Sequence, residues 1–308
     1  MKRYRKSIFD QLESPPKNQK YIRFFEKIRW NDKVVSPYDP TSKVWKLANN
    51  WYKCKNTGKK FNFRTGTVLQ YSNIPLRKWY LACCLFNSKK GVSSYQLAKF
   101  LDITFTTAFN LLKDLRSLLD QFNFVKEKLR DTIESDETLV GGSNPNRHWD
   151  KKFLNCQGRS CVDKTPILGI LGSYLITRVV PDTKLSTLEP IINKHVEVGA
   201  TVYTDEHYRH SNLPKRFNHQ MVNHSAKPKQ YKKGEVTTNS IEGVWSSHLK
   251  VPIKGTYHNN ISDKYLQNYA DEFAFRYNTR KYTEKKRLEL LFLAMMGKPL
   301  TYQEFSQI

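Results

Sequence analysis

From residue 132 onward the apolar residues switch repeatedly between two spacings, and this limits what that part of the chain can fold into. TIESDETLVGG reads as a strand. TPILGILG and SYLITRVVP read as a strand pair joined by a glycine-containing turn. STLEPIINKHV reads as a helix capped by Ser186, and ATVYTDEHY as another strand. TTNSIEGVWSSHLKV follows as a helix stopped by Pro252. SDKYLQNYADEFAFRYN, capped by Ser262, is a further helix. Strands of period two interleaved with helices predict an α/β layer structure.

The first strand poses a chemical question. Glu134, Asp136 and Glu137 fall within four positions of a chain whose formal net charge is +24, from 52 Lys and Arg against 28 Asp and Glu. Asp205 closes the strand TVYTD, and Asn239 and Glu242 sit in the first turn of a predicted helix. Carboxylates on two strands and a helix can converge on one sheet edge. Hard divalent cations take oxygen ligands, and two ions about 4 Å apart suit phosphodiester displacement. Each residue also has a plain reading. Asp136 suits a solvated strand end, and Asp205 suits a cap for the segment from Glu206. Asn239 with Glu242 three residues on is a capping-box pattern. On an α-helical wheel of about 100° per residue, Asn239, Glu242 and Lys250 share a face, and Trp245 points away from it. The residues alone leave both readings open.

The positive charge runs from end to end, which points to a polyanion partner, since neutralising phosphates releases counterions. No run of about 18 apolar residues is present, and no apolar stretch follows the basic start MKRYRKS, so no membrane or secretion signal is expected. Five cysteines at irregular spacing do not suggest a disulfide framework and fit a reducing compartment. The expected location is the cytoplasm, at the bacterial nucleoid. No metal site is expected at CQGRSC, Cys156 to Cys161, where no second ligand pair is evident.

The first 130 residues read differently. YIRFFEKIRW has a short helical pattern. KVWKLA, NWYKCK and KKFNFR read as short strands with turns at Asn49-Asn50 and Gly58, a small β-ribbon. PLRKWYLACCLF, SSYQLAKFL and TFTTAFNLLKDLRSLL read as helices, with Ser93 and Thr104 or Thr106 as N-caps. The last two, joined tightly, suit a helix-turn-helix or an ordinary helical hairpin.

Blocks in order along residues 22–302 resemble the ISXO-like insertion-sequence transposases, relatives of the Merlin elements. They include FFEKIRW, YKCKNTGKKF, IPLRKWYLA, SDETLVGG, KTPILG, VYTDEHY, TTNSIEGVWS, GTYHN and DEFAFRYN. The resemblance implies an RNase H-like catalytic domain at 126–282. Before it come a lead-in at 1–29, a degenerate zinc ribbon at 30–70 and a helix-turn-helix region at 71–125. A C-terminal helix at 283–308 is expected to pack on the catalytic domain. The resemblance further implies a DNA transposase that cuts and joins at element ends with two Mg²⁺ or Mn²⁺ ions. Asp136, Asp205 and Glu242 would be the ligands, with Asn239 as neighbour or substitute for Glu242. Lys250, Lys254, Lys113 and Arg116 are the expected DNA contacts. His258 matches a family position without a derivable role. The partners would be double-stranded element ends and target DNA, bound by a dimer or larger assembly. The family's ribbon has two Cys-x-x-Cys pairs. Here they are Ser36-Pro37-Tyr38-Asp39 and Cys54-Lys55-Asn56-Thr57. Zinc is therefore expected to be absent, with Trp45, Trp51, Tyr52 and Phe61 packing in its stead. The lost cysteines also motivate an alternative, a decayed or repurposed copy that binds DNA without cutting it.

Overall fold

The computed structural model describes residues 18–123, 128–141, 144, 147–154, 162–222, 236–259 and 261–297. Cys156, Cys161, most of the basic lead-in and the end of the C-terminal segment lie outside the described residues. The chain divides into two compact units. One is Met1–Gln121 with Tyr282–Glu304, and the other is Phe122–Lys281 with Phe305–Ile308. No helix among the described residues is long and apolar enough to cross a membrane.

In the first unit, helix α1 (Asn18–Trp30) precedes a three-stranded antiparallel sheet of β1 (Val44–Lys46), β2 (Tyr52–Cys54) and β3 (Lys60–Phe61). Helices α2 (Leu76–Phe86), α3 (Ser94–Leu101) and α4 (Phe105–Ser117) follow. The α3 start is a capping box, with the Ser93 side chain accepting from the Gln96 amide and Gln96 reaching back. Asp102 ends α3 in the left-handed region at φ 50°, and Thr104 caps α4. Ser93→Ala should therefore cost about 1 kcal/mol, read as a lowered midpoint in urea denaturation of the full chain.

The small sheet shows what stands in the zinc positions. Ser36 Oγ accepts the amides of Tyr38 at 3.1 Å and Asp39 at 3.3 Å. Asp39 accepts the Thr41 hydroxyl at 2.7 Å and the Asn56 side-chain amide at 2.7 Å. Burial raises the Cys54 thiol pKa. Hydrogen bonds with Ser36, Ser42 and Thr57 outweigh that effect and bring it to about 6. The aromatic packing differs from expectation. Tyr52 and Phe61 are buried against Trp30 of α1, with ring centroids at 5.2 and 6.1 Å. Trp45 and Trp51 are 49% and 42% exposed.

The C-terminal helix is also not where the sequence put it. This last helix (Glu284–Met295, α9 in the numbering completed below) belongs to the first unit. Phe292 meets Phe24 at 5.0 Å and stacks on Tyr80 at 5.4 Å, and the Cys83 thiol lies 3.1 Å from Met295 Sδ. Its apolar face is satisfied by the aromatic stripe of α1 and the buried face of α2, not by the larger sheet.

The second unit is built on a five-stranded sheet. Its strands are β4 (Thr132–Gly141), β5 (Lys164–Leu171), β6 (Leu175–Val179), β7 (Thr201–Asp205) and β8 (Asn218–Val222), in the order β6-β5-β4-β7-β8. β4, β5 and β6 form an antiparallel meander, whereas β4, β7 and β8 run parallel. Helix α5 (Leu185–His195) makes the crossover from β6 to β7. It starts one residue before Ser186, after Lys184, and the Ser186 hydroxyl does not cap it.

On one sheet face lies a long helical segment in three parts. These are α6 (Asn239–Val244), a π-helical turn (Trp245–Lys250) and α7 (Val251–Gly255). Pro252 does not stop it. Proline removes a donor and clashes with the carbonyl four residues back. The wider π turn stands immediately before that position, and the helix continues through it. Helix α8 (Leu266–Asn278) completes the layer. Val140, Ile167, Leu171 and Leu175 from the sheet pack with Ile241, Trp245, Leu249, Ala270 and Phe273 from the helices.

The DEFAFRYN stretch of α8 is structural. Glu272 is fully buried and accepts from Arg276 Nη2 at 2.8 Å and the Tyr257 hydroxyl at 2.8 Å. Asn278 bonds both the amide and the carbonyl of Leu175, at 2.7 and 2.9 Å, tying α8 to β6.

Candidate active site at the sheet edge

Asp136 and Asp205 reach the same sheet edge through strand register. β4 and β7 are parallel neighbours, and their last register pair is Glu134 with Tyr203. Two residues further along each strand come Asp136 and Asp205. Parallel neighbours about 4.8 Å apart keep matched side chains on one face. The carboxyl ends of parallel strands are also where α/β sheets hold their ligands.

Each acid of the TIESDE stretch has its own partner. Glu134, 9% exposed, accepts the Ile241 amide on Oε2 at 2.9 Å and so satisfies an orphan donor of the α6 N-terminus. Asp136 accepts the Trp245 indole N–H on Oδ2 at 3.0 Å. Glu137 points to the other face and accepts the hydroxyl of the buried Tyr208. Burial and the neighbouring Asp205 charge push the Asp136 carboxyl up to about 6, Glu242 adding to the rise and the Trp245 and Glu137 hydrogen bonds opposing it. The same three carboxylates therefore share one electrostatic neighbourhood.

Asp205 is 4% exposed, and its Oδ1 accepts the His207 amide at 3.0 Å, capping the 3-10 turn Glu206–His210. The capping reading of Asp205 thus describes it correctly, without removing it from the edge. The capping box expected at Asn239 and Glu242 does not form. The N-cap is Thr238, and Glu242 accepts the Thr238 hydroxyl at 3.1 Å. Asn239 and Glu242 are both exposed on the first turn of α6. Among the described residues no group of three or more His, Cys, Asp or Glu side chains is gathered tightly enough to hold a metal ion as it stands.

The expected DNA contacts divide. Lys250 and Lys254 are exposed, and Lys113 on α4 is half-buried. Arg116 is 1% exposed and lies 6.0 Å from the Phe86 ring centre, so its guanidinium is not available to a phosphate. The sequence carried the signal, because Arg116 stands one turn after Leu112 on the buried stripe of α4. The helical wheel also misplaced Lys250. A π turn advances less per residue than an α-helix, and Lys250 ends that turn. His258 is exposed, in a left-handed turn with φ 51°.

Comparison with known proteins bears on this edge. Residues 128–278, which span β4 to the end of α8, match the family model of the ISXO2-like transposase domain. The chain carries an ISXO2-like transposase domain. The protein is also similar to an uncharacterized protein in transposable element ISH50 of Halobacterium salinarum. The two are 25% identical over 281 residues, 86% of this chain and 92% of that protein. Among solved structures, the Mos1 strand transfer complex is similar at 12% identity and a TM-score of 0.26, over 70% of this chain and 77% of that one. A pre-cleavage Mos1 transpososome is similar at 12% identity and a TM-score of 0.26, over 95% and 96%. TM-scores this low do not establish a shared fold. The matched transposase domain contains Asp136, Asp205, Asn239 and Glu242, together with the Trp245, Glu134 and Tyr208 contacts that sequence reasoning missed.

Proposed function

We propose that this protein is the transposase of its insertion sequence, binding the element's ends and cutting and joining DNA with divalent cations. The observation that carries this reading is the convergence of Asp136 and Asp205, each two residues beyond the last register pair of the parallel neighbours β4 and β7, within a transposase domain. The meander of three antiparallel strands followed by two parallel ones is the sheet order of an RNase H-like domain, the fold we assign to this unit.

Asp136, Asp205 and Glu242, with Asn239 beside Glu242, are the residues that would hold Mg²⁺ or Mn²⁺. The donor chemistry fits a hard cation, since every donor is oxygen and the acids already repel one another. Ions held by these residues would supply Lewis-acid activation of a water or hydroxyl and stabilisation of the leaving oxygen in phosphodiester displacement. The chain's own residues do the rest. Lys250 and Lys254 stand on the solvent side of the helical segment, where they can meet phosphate. Helices α3 and α4, joined by a short turn at Asp102, are read as the helix-turn-helix, with exposed Thr106 and Asn110 on α4 available to base edges. Two ends cut and joined together call for a dimer or larger assembly on DNA.

The ribbon is proposed to fold without zinc, its ligand positions closed by the Ser36, Asp39, Cys54 and Asn56 hydrogen bonds. Elemental analysis of the purified protein should then find zinc far below one per chain. Near-stoichiometric zinc would show that Cys54 and its neighbours still make a metal site.

Incubation of the full chain with its native flanking DNA tests the main reading. Cuts at the element ends are expected with Mg²⁺ or Mn²⁺ and none with EDTA. The second reading, a copy that binds but does not cut, draws on the three missing ribbon cysteines. It expects end binding indifferent to Mg²⁺ and tolerant of change at Asp205.

A further inference from the structure

Asp136 faces Gly169 across the β4–β5 pair. A Cβ built on Gly169 would meet the Trp245 ring at 2.3 Å from Cζ2 and 2.4 Å from Cη2. The indole therefore lies on bare backbone, in a slot that only glycine leaves. Trp245 is 3% exposed, and its N–H emerges from that slot 3.0 Å from Asp136 Oδ2. One helical turn earlier, the Ile241 amide donates to Glu134 at 2.9 Å.

The two contacts form a matched pair of rungs. Residues 134 and 136 are two apart on a strand, about 6.6 Å. Residues 241 and 245 are four apart on a helix, about 6 Å. The strand thus grips the helix at two points of equal spacing. That grip fixes the register of the helix bearing Asn239 and Glu242 against the strand bearing Asp136. A buried indole N–H needs an acceptor, but core packing alone does not require that acceptor to be the carboxylate of the sheet edge.

We propose that Trp245, seated on Gly169, is a positioning residue for the cation site, its N–H fixing the orientation of the Asp136 carboxylate. The proposal rests on the reading of Asp136 as a cation ligand. Supporting contacts of this kind typically change metal affinity by about 10-fold or more when removed.

The test uses the full chain and Mn²⁺, with free ion read by its electron paramagnetic resonance signal. Asp136→Ala should lose Mn²⁺ binding. Trp245→Phe keeps a ring and removes the donor, and it should weaken Mn²⁺ binding about 10-fold while unfolding remains cooperative. If that variant does not fold, benzothienylalanine at position 245 keeps the bicyclic shape with sulfur in place of N–H. Tyr257→Phe loosens the same helical layer without touching Asp136, and it should leave Mn²⁺ binding intact. Unchanged affinity in the position-245 variants, with binding lost in Asp136→Ala, would overturn the proposal and leave the site. Wild-type affinity in Asp136→Ala would overturn both.

Discussion

Asp136→Ala and Asp205→Ala should each abolish cleavage of element-end DNA while leaving end binding intact. The expected loss is on the order of 10³-fold, because metal charge stabilisation is worth several kcal/mol and about 1.4 kcal/mol is a factor of ten. Binding should survive because the proposed DNA-reading helices α3 and α4 belong to the other compact unit. Glu137→Gln is the informative control. Glu137 lies in the same acidic run, yet its carboxylate is engaged by Tyr208 on the opposite sheet face. It should keep most of the activity. Gel-shift and cleavage assays on the same preparations read both properties. Loss of binding in both alanine variants would indicate folding damage and would count against the assigned roles.

Arg276→Ala should strongly destabilise the transposase domain. Glu272 is 0% exposed, and Arg276 reaches it through Nε at 3.0 Å and Nη2 at 2.8 Å. Removing the guanidinium leaves a buried carboxylate without its main countercharge, a situation that costs about 3–5 kcal/mol. Adding Glu272→Gln to Arg276→Ala should recover part of the loss, because the stranded charge goes with it. Urea denaturation of the three variants measures both effects. A loss of about 1 kcal/mol or less, the range of an exposed pair, would mean that the pair carries little of the stability.

Strands β4 to β7 and the helices of the transposase domain were legible because their apolar spacing is local, whereas β8 (Asn218–Val222) reads as a polar loop in the sequence and becomes a strand only by pairing with β7. The acids themselves were legible too, since Asp136 lies on one predicted strand and Asp205 closes another. What the sequence did not reveal depends on contacts across long separations or on departures from regular geometry. The bond from Trp245 to Asp136 joins residues 109 apart. Its only local signal was a Trp on the buried stripe whose N–H needed an acceptor. The π turn before Pro252 changed the angular step, so an α-helical wheel could not place Lys250. The last helix showed an apolar face, but nothing in its own residues named the aromatic side chains of α1 and α2 as its partners. Trp45 and Trp51 failed for a related reason. Strands this short give alternation too few residues to say which face is covered.

Glu134 and Glu137 answer the question the acidic run posed. Of three acids in four positions, one satisfies a helix N-terminus, one serves a tyrosine on the far face, and only Asp136 is left to the edge it shares with Asp205.

The most direct measurement is anomalous scattering from crystals of the protein grown with its end DNA and Mn²⁺. A manganese peak bounded by Asp136, Asp205 and either Glu242 or Asn239 is predicted, and the ligating side chain would identify the third member. Well-ordered crystals with saturating Mn²⁺ and no peak at that edge, or a peak held by other residues, would contradict the assignment of the active site.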